Sequence, residues 1–387
     1  MATTGKTKAR TTRRTRIVCI SDTHNCTVKL PPGDVLIHAG DITNQGSHSE
    51  LSKAVKWLEG LQYEAKIIIA GNHDITLDAD FYARHGHDFH NKKPESHEEC
   101  LALVQSSPSL TYLHHETATI RLSSPTGPRT EFTVFGSPLA PAFRNWAFYY
   151  PPLLESLSCC ETSIATSDEL PTSPWEDIPA RADIVVTHTP PRDHCDDRGG
   201  VDRPTGCEAL RRALWRVRPR LAVCGHMHEG RGVSRVSWDL GRRYGERDDD
   251  DSAGAWQDPG AGGNNKISLV NLTAKNASLP LDNDGLWYED GTGDVPIERR
   301  GEAKASGEAG GEMVAPGWHG RRETCVVNAA ILKSKFPHKG GKQFNKPIVV
   351  DLDLPVVEGI DFDNFEWLHV HFDNYAAYSN QVGSIPY

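Results

Sequence analysis

No stretch of the chain approaches the roughly 18 consecutive apolar residues that a membrane-spanning helix needs, so no membrane span is expected. No CxxC pair occurs either. The nine cysteines are odd in number and scattered, which argues against a disulfide framework and for reduced thiols in an intracellular, cytoplasmic protein. On that reading the sequons Asn271-Leu272-Thr273 and Asn276-Ala277-Ser278 meet no glycosylation machinery. Met1 to Arg16 lacks the apolar segment of a secretory signal, and residues 1–15 read as a disordered basic tail. Beyond it acidic residues outnumber basic ones. The net charge is −10 although the first 16 residues hold six Lys or Arg, which leaves the rest at about −16 and argues against duplex nucleic acid as a partner. There is no internal repeat.

What is present is a globular composition, 37% hydrophobic and 24% charged over 387 residues, enough to bury a substantial core. Short apolar runs recur, each ending in polar residues. Arg16 to Asp22 is a strand running into Asp22-Thr23-His24, and Asp34 to Asp41 is another ending in Gly40-Asp41. Ser49 to Gly60 predicts a helix with Leu51, Val55 and Leu58 on one face, Ser49 as its cap and Gly60 at its close. Lys66 to Ala70 leads into Gly71-Asn72-His73-Asp74, completing a βαβ-like alternation with parallel neighbours. Strands follow at 132–138, ending in Ser137, at 183–188, ending in His188, and at 221–228, ending in His226 and His228, with a helix over Gly206 to Val217. Cys325 to Ala330 and Pro347 to Leu354 return to strand patterns that should close a sheet.

The stretches between read differently. Phe81 to Leu113, with His85, His87, His90 and His97, reads as polar and helical in part, a solvated surface segment because no strand brings those rings together. Residues near 156–176, 246–263 and 282–320 read as flexible insertions in a domain spanning 16–355, and 356–387 as a C-terminal extension of unassigned role.

Five strand ends supply eight groups suited to metal binding or catalysis: Asp22, Asp41, Asn72, His24, His188, His226, His228 and His73. The carboxyl edge of a sheet is where open α/β folds bind ligands. Mixed imidazole, carboxylate and amide donors favour Mn²⁺, Fe or Zn²⁺ over Ca²⁺ or Mg²⁺. The set is too large for one tetrahedral site and suits two divalent ions sharing a carboxylate, about 3.5–4 Å apart.

Asp22-x-His24, Gly40-Asp41, Gly71-Asn72-His73-Asp74, Thr187-His188 and Gly225-His226-x-His228 resemble the calcineurin-like metallophosphoesterase signature. Gly136-Ser137-Pro138, Trp146-Ala147-Phe148 and Thr187-His188-Thr189-Pro190-Pro191 are similar to the branch of metallophosphoesterase-domain-containing (brain-protein-239-like) proteins. The resemblance implies an α/β four-layer sandwich, two mixed β-sheets flanked by helices. It also implies Asp22, His24 and His228 on a first metal, Asn72, His188 and His226 on a second, and Asp41 bridging. His73 then stands beside the metals as the catalytic group, with Asp74 either its orienting partner or a helix cap. The implied activity is metal-dependent hydrolysis of small phosphodiesters, cyclic nucleotides included, with phosphomonoester or phosphoprotein hydrolysis, or a non-catalytic scaffold, as alternatives. In the aromatic loop from Phe143 to Tyr150, Trp146 is a candidate to stack on a base and Arg144 to meet a phosphate, against packing on the core as the alternative.

Overall fold

Alternation along the first strand decides how the layers form. In β1 (Thr12–Ile20), Ile17 and Cys19 face one way, Val18 and Ile20 the other, and all four are fully buried. A strand apolar on both faces must be covered on both. The computed structural model describes residues 11–142, 145–150, 173–197, 205–238, 258, 266–275, 277, 279–285, 320–334 and 337–357. The chain divides into two compact units, residues 1–356 and 357–387; of the second, only Val357 is among the described residues.

In the first unit β1 lies in a six-stranded sheet with β2 (Val35–Ala39), β3 (Ala65–Ile69) and β4 (Thr111–Tyr112) in parallel succession on one side. On its other side are the antiparallel β14 (Ile348–Pro355) and then β12 (Ser268–Asn271). The second six-stranded sheet contains β5 (Glu116–Arg121), β6 (Glu131–Ser137), β9 (Ile184–Thr187), β10 (Leu221–Cys224), β13 (Glu323–Asn328) and β11 (Gly232–Ser237), the last reached across β13. Within it β6, β9, β10 and β13 run parallel, with antiparallel strands at both edges. A small ribbon joins β7 (Ala140–Pro141) and β8 (Tyr149–Tyr150).

Three apolar clusters define the layers. Ile17, Ile37, Ile67 and Ile69 meet Val134, Val186, Val223 and Val327 between the sheets. Val18, Leu36 and Ile68 pack with Leu51 and Leu58 of α1 (His48–Glu59) and Val104 of α3 (His97–Gln105), α2 (Ala79–Phe89) lying between these helices in sequence. Val185, Ala222 and Val326 pack with Leu210, Leu214 and Val217 of α4 (Glu208–Val217). The order is helix, sheet, sheet, helix, the four-layer sandwich expected. Among the described residues no helix is long and apolar enough to cross a membrane, and each described cysteine is free.

Several expectations shift. The helix cap is Ser47, not Ser49: its hydroxyl accepts from Glu50 N, and Glu50 reaches back in a capping box. β13 and β14 do not close one sheet; each joins a different one. Residues 12–15, assigned to the tail, lie in β1 opposite residues 352–355, because Arg14 and Arg16 find Asp351 across the pair and buried Thr15 meets Thr130. Trp175, in a stretch expected to be a surface insertion, is wholly buried under α4, and Arg216 donates to its carbonyl. Strands β4, β5, β7, β8, β11 and β12 had no sequence assignment. β5 is mostly exposed and polar, so its alternation is weak.

Most of 156–172, 246–263 and 286–319 lies outside the described residues, as does 358–387. The last insertion leaves and re-enters at one point: Asp284 N donates to Gly320 O at 3.0 Å, and Asn283 bridges to Arg321.

Candidate metal centre

The site is built where β1, β2, β3, β9 and β10 run out. Four residues just past the strands adopt left-handed backbone: Asp22 at φ 55°, His24 at 44°, Asp41 at 53° and His226 at 66°. Each such non-glycine residue costs of order 1–3 kcal/mol, and strain of this kind collects at functional sites. The turns hold one another in it. Asp22 N donates to Gly40 O at 2.9 Å and His24 N to Asp41 O at 3.0 Å, lacing the β1 and β2 ends together. From the other sheet, Gly225 N donates to His188 O at 3.0 Å and His226 N to Asp22 Oδ2 at 3.1 Å. Two glycines are forced by crowding: a Cβ at Gly71 would strike Asp41 and His188, and one at Gly225 would strike Ser21 and Asp22.

The side chains converge. Asp22, His24 and His228 bring one ligand atom each within 4.8 Å of one another, and so do Asp22, Asp41 and His188, and His24, Asp41 and His73. His228 Nε2 is 3.2 Å from Asp22 Oδ1 and 3.3 Å from His24 Nε2. Two imidazole nitrogens so placed share one proton at most, and a cation suits both lone pairs better. His188 Nδ1 donates to Ala39 O at 2.9 Å, which turns Nε2 toward Asn72 Oδ1 at 3.0 Å and Asp41 Oδ1 at 3.4 Å. A backbone carbonyl fixing the tautomer of a ring nitrogen is how metal-binding histidines are oriented. His226 packs edge-on to His188, ring centroids 4.9 Å apart. Donor atoms of Asp22, His24, Asp41, Asn72, His188 and His228 thus come together, with the His226 ring against His188, and the donor set fits divalent cations.

Electrostatics agree. Burial opposes ionisation of Asp22, but His228 outweighs it and holds the carboxyl well below its usual range. Asp41 behaves alike, with burial outweighed by His188 and His73. Burial pushes His24 down to about 4, while Asp41 overcomes burial at His188 and raises it to about 9. Two ionised carboxylates amid crowded imidazoles form a centre ready for added positive charge.

His73 is oriented differently from the sequence expectation. Its Nδ1 donates to Asn44 O at 2.7 Å, not to Asp74. The Asp74 carboxylate is fully buried and accepts from Gly71 N, Ile42 N, Thr43 N and the Thr43 hydroxyl, and it caps no helix. Asp74 therefore ties the β3 turn to the β2 turn. Burial and the nearby Asp41 push it up to about 6. Ser137 lies beside the centre: its carbonyl accepts from His188 N at 3.2 Å, while its hydroxyl meets His115 Nδ1 at 3.0 Å. Trp146 stands against His73, and Arg144 lies outside the described residues. His85, His87, His90 and His97 enter none of the three donor groups.

Sequence reasoning missed Asn44, Glu50 and Asn328. Glu50 accepts from Asn44 Nδ2 at 2.7 Å and so fixes the loop whose carbonyl holds His73. Asn328, fully buried at the end of β13, donates to Met227 O at 2.8 Å and Cys195 O at 3.0 Å, pinning the residue between His226 and His228. A polar residue closing an apolar strand, as at Cys224-Gly225-His226, was the available signal for Asn328.

Facing sheets that bring a buried His, Asp and Asn donor set together at their strand ends define the class of α/β folds suited to a metal centre. The model of the calcineurin-like phosphoesterase family matches residues 15–230, and the chain belongs to that family. It is similar to the human metallophosphoesterase domain-containing protein 1, 39% identical over 232 residues, 57% of this chain and 62% of that protein. It is also similar to the probable rhamnogalacturonate lyase C of Emericella nidulans, 38% identical over 238 residues, 61% of this chain and 19% of that protein. The chain thus spans about three fifths of the length of the one and about a fifth of the other. A crystal structure of a Thermus thermophilus protein aligns with 58% of this chain and 84% of its own at 12% identity and a TM-score of 0.34.

Proposed function

We propose that the chain is a metal-dependent phosphoesterase that hydrolyses small phosphodiesters, cyclic nucleotides included. The observation that carries it is a centre in which Asp22 and Asp41 each enter two of three donor groups, with His73 alongside, tethered through Nδ1. Asp22, His24 and His228 would hold one divalent ion, Asn72, His188 and His226 a second, with Asp41 shared; Mn²⁺, Fe or Zn²⁺ suits these donors. Bound there, such a pair supplies Lewis acidity for a phosphoryl group and lowers the pKa of the attacking water.

The chain's residues do the rest. Asp41 Oδ1 accepts from His73 N at 2.8 Å, which keeps the catalytic ring in register with the ligands. The carbonyl of Asn44 can only accept, so Nδ1 carries a proton and Nε2 is the nitrogen left for the reaction. As water adds to phosphorus and the bond to the leaving oxygen breaks, Nε2 of the protonated ring gives that oxygen its proton. The acidic body, about −16 outside the first 16 residues, favours a small substrate over a polyanionic polymer.

The test is a panel in which a nucleotide diester and its product monoester are offered side by side to Mn²⁺-loaded protein. Diester turnover well above monoester turnover is expected. Faster monoester hydrolysis would move the assignment to a phosphomonoesterase, and hydrolysis of neither would leave a scaffold.

A further inference from the structure

Besides the carbonyl tether at its Nδ1, the His73 ring packs against an aromatic ring. The indole centroid of Trp146 is 4.2 Å from that of the imidazole, with the planes at 37°. The His73 ring also meets that of His24, centroids 4.8 Å apart with the planes at 86°. Trp146 is not a loose loop residue. It packs on Phe89 of α2 at 5.5 Å. Asn145 Nδ2 meets His85 Nδ1 at 3.1 Å. Phe148 N donates to Asp78 Oδ2 at 2.7 Å, and Ala147 and Phe148 are buried. The indole is therefore carried on a short loop fastened to both ends of α2.

A single hydrogen bond from Nδ1 leaves an imidazole free to swing about that bond. A packed ring face removes the swing. Aromatic pairs sit with centroids about 4.5–7 Å apart, so a substrate base between these two rings would need roughly twice the separation present. The indole face on His73 is thus committed to the protein.

We propose that Trp146 is a positioning residue for His73, holding its Nε2 on the leaving oxygen. This inference rests on the phosphodiesterase reading above for its kinetic arm, and a second arm does not. The carbonyl of Asn44 sets which nitrogen carries the proton, and the indole sets where the other nitrogen points. Misdirection of a general acid is felt most where the leaving oxygen is a poor leaving group.

The experiment compares full-length wild type with Trp146→Ala and Trp146→Phe, each loaded with Zn²⁺ and checked for metal content. Kinetics are read on a ribonucleotide diester and on bis-nitrophenyl phosphate. Trp146→Ala should keep its metals and lose about tenfold in kcat on the nucleotide diester, a much smaller factor on the nitrophenyl diester, with little change in KM. Trp146→Phe should recover most of the loss. Carbon relaxation of the His73 ring, assigned against His73→Ala, should show a rigid ring in wild type and a mobile one in Trp146→Ala. A rise in KM confined to the nucleotide with kcat kept would make the indole a base platform and overturn the proposal. Equal losses on both diesters, or an equally rigid ring in Trp146→Ala, would overturn it too. Wild type that cleaves neither diester sinks the phosphodiesterase reading instead, and the relaxation arm then decides the positioning role alone. If Trp146→Ala fails to fold, Trp146→Leu, which removes the aromatic face but keeps apolar bulk, supplies the contrast, and no added ring motion there counts against the proposal.

Discussion

Asp41 and His73 are neighbours with separable duties, and substitution tells them apart. His73→Ala should keep both metals yet lose about 10²–10⁴-fold on an alkyl or nucleotide diester, the usual worth of a general acid, and far less on a bis-nitrophenyl diester. Equal losses on the two substrates would mean that His73 only grips the phosphoryl group. His38, wholly buried on β2 with Nε2 2.9 Å from the Thr23 hydroxyl, carries a different expectation. Burial lowers its pKa to about 4, against about 6.5 unfolded. The unfolded chain then binds the extra proton between those values, so stability falls as pH drops from 6.5 to 4, by up to about 3 kcal/mol from this group. Urea unfolding of wild type and His38→Gln across that window should differ in slope by up to one proton; identical slopes would refute the depressed value. The ligand-type residues were legible because each follows an apolar run at a strand end. The partner of His73 was not: a backbone carbonyl such as that of Asn44 leaves no mark in a sequence, and the carboxylate of Asp74, next in line, was the plausible but incorrect choice.

At the scale of elements, one helix start serves the site. Glu50 closes the capping box of α1 and, through Asn44 Nδ2, Gln45 N and Ser47 N, fixes the loop that tethers His73. These contacts, with burial opposing, hold the Glu50 carboxyl below its ordinary value. Glu50→Gln should cost about 1–2 kcal/mol in urea unfolding, the range of a lost cap and charged hydrogen bonds. It should also lower kcat on nucleotide diesters; loss of stability with kcat intact would confine Glu50 to the helix. Buried strands β2, β3, β9 and β10 were legible as continuous apolar runs. Edge strands were not. β5 is polar and largely exposed, and β12 buries only Ser268 of its four residues. Which sheet β13 and β14 would join was equally hidden, since both read alike and only packing between the layers separates them.

At the scale of the molecule, the described residues flanking the last insertion close on each other. Asp284 and Gly320 are hydrogen-bonded at its mouth, and the cost of closing a longer loop grows only slowly with length. We propose that limited proteolysis cuts first within 246–263 and 286–319 and leaves a folded, active remainder; protection of both would mean that they are docked. The frame itself exists to bring strand ends of two sheets to one point, Asp22, Asp41 and Asn72 from the first and His188, His226 and His228 from the second. What most depends on that meeting is the proposed sharing of Asp41 by two cations. Elemental analysis of wild type and Asp41→Asn after identical Mn²⁺ loading tests it directly. Two ions per chain are expected in wild type and loss of both in the variant, because one carboxylate serves both positions and the amide removes its charge. A variant that retains two ions per chain would contradict the shared carboxylate.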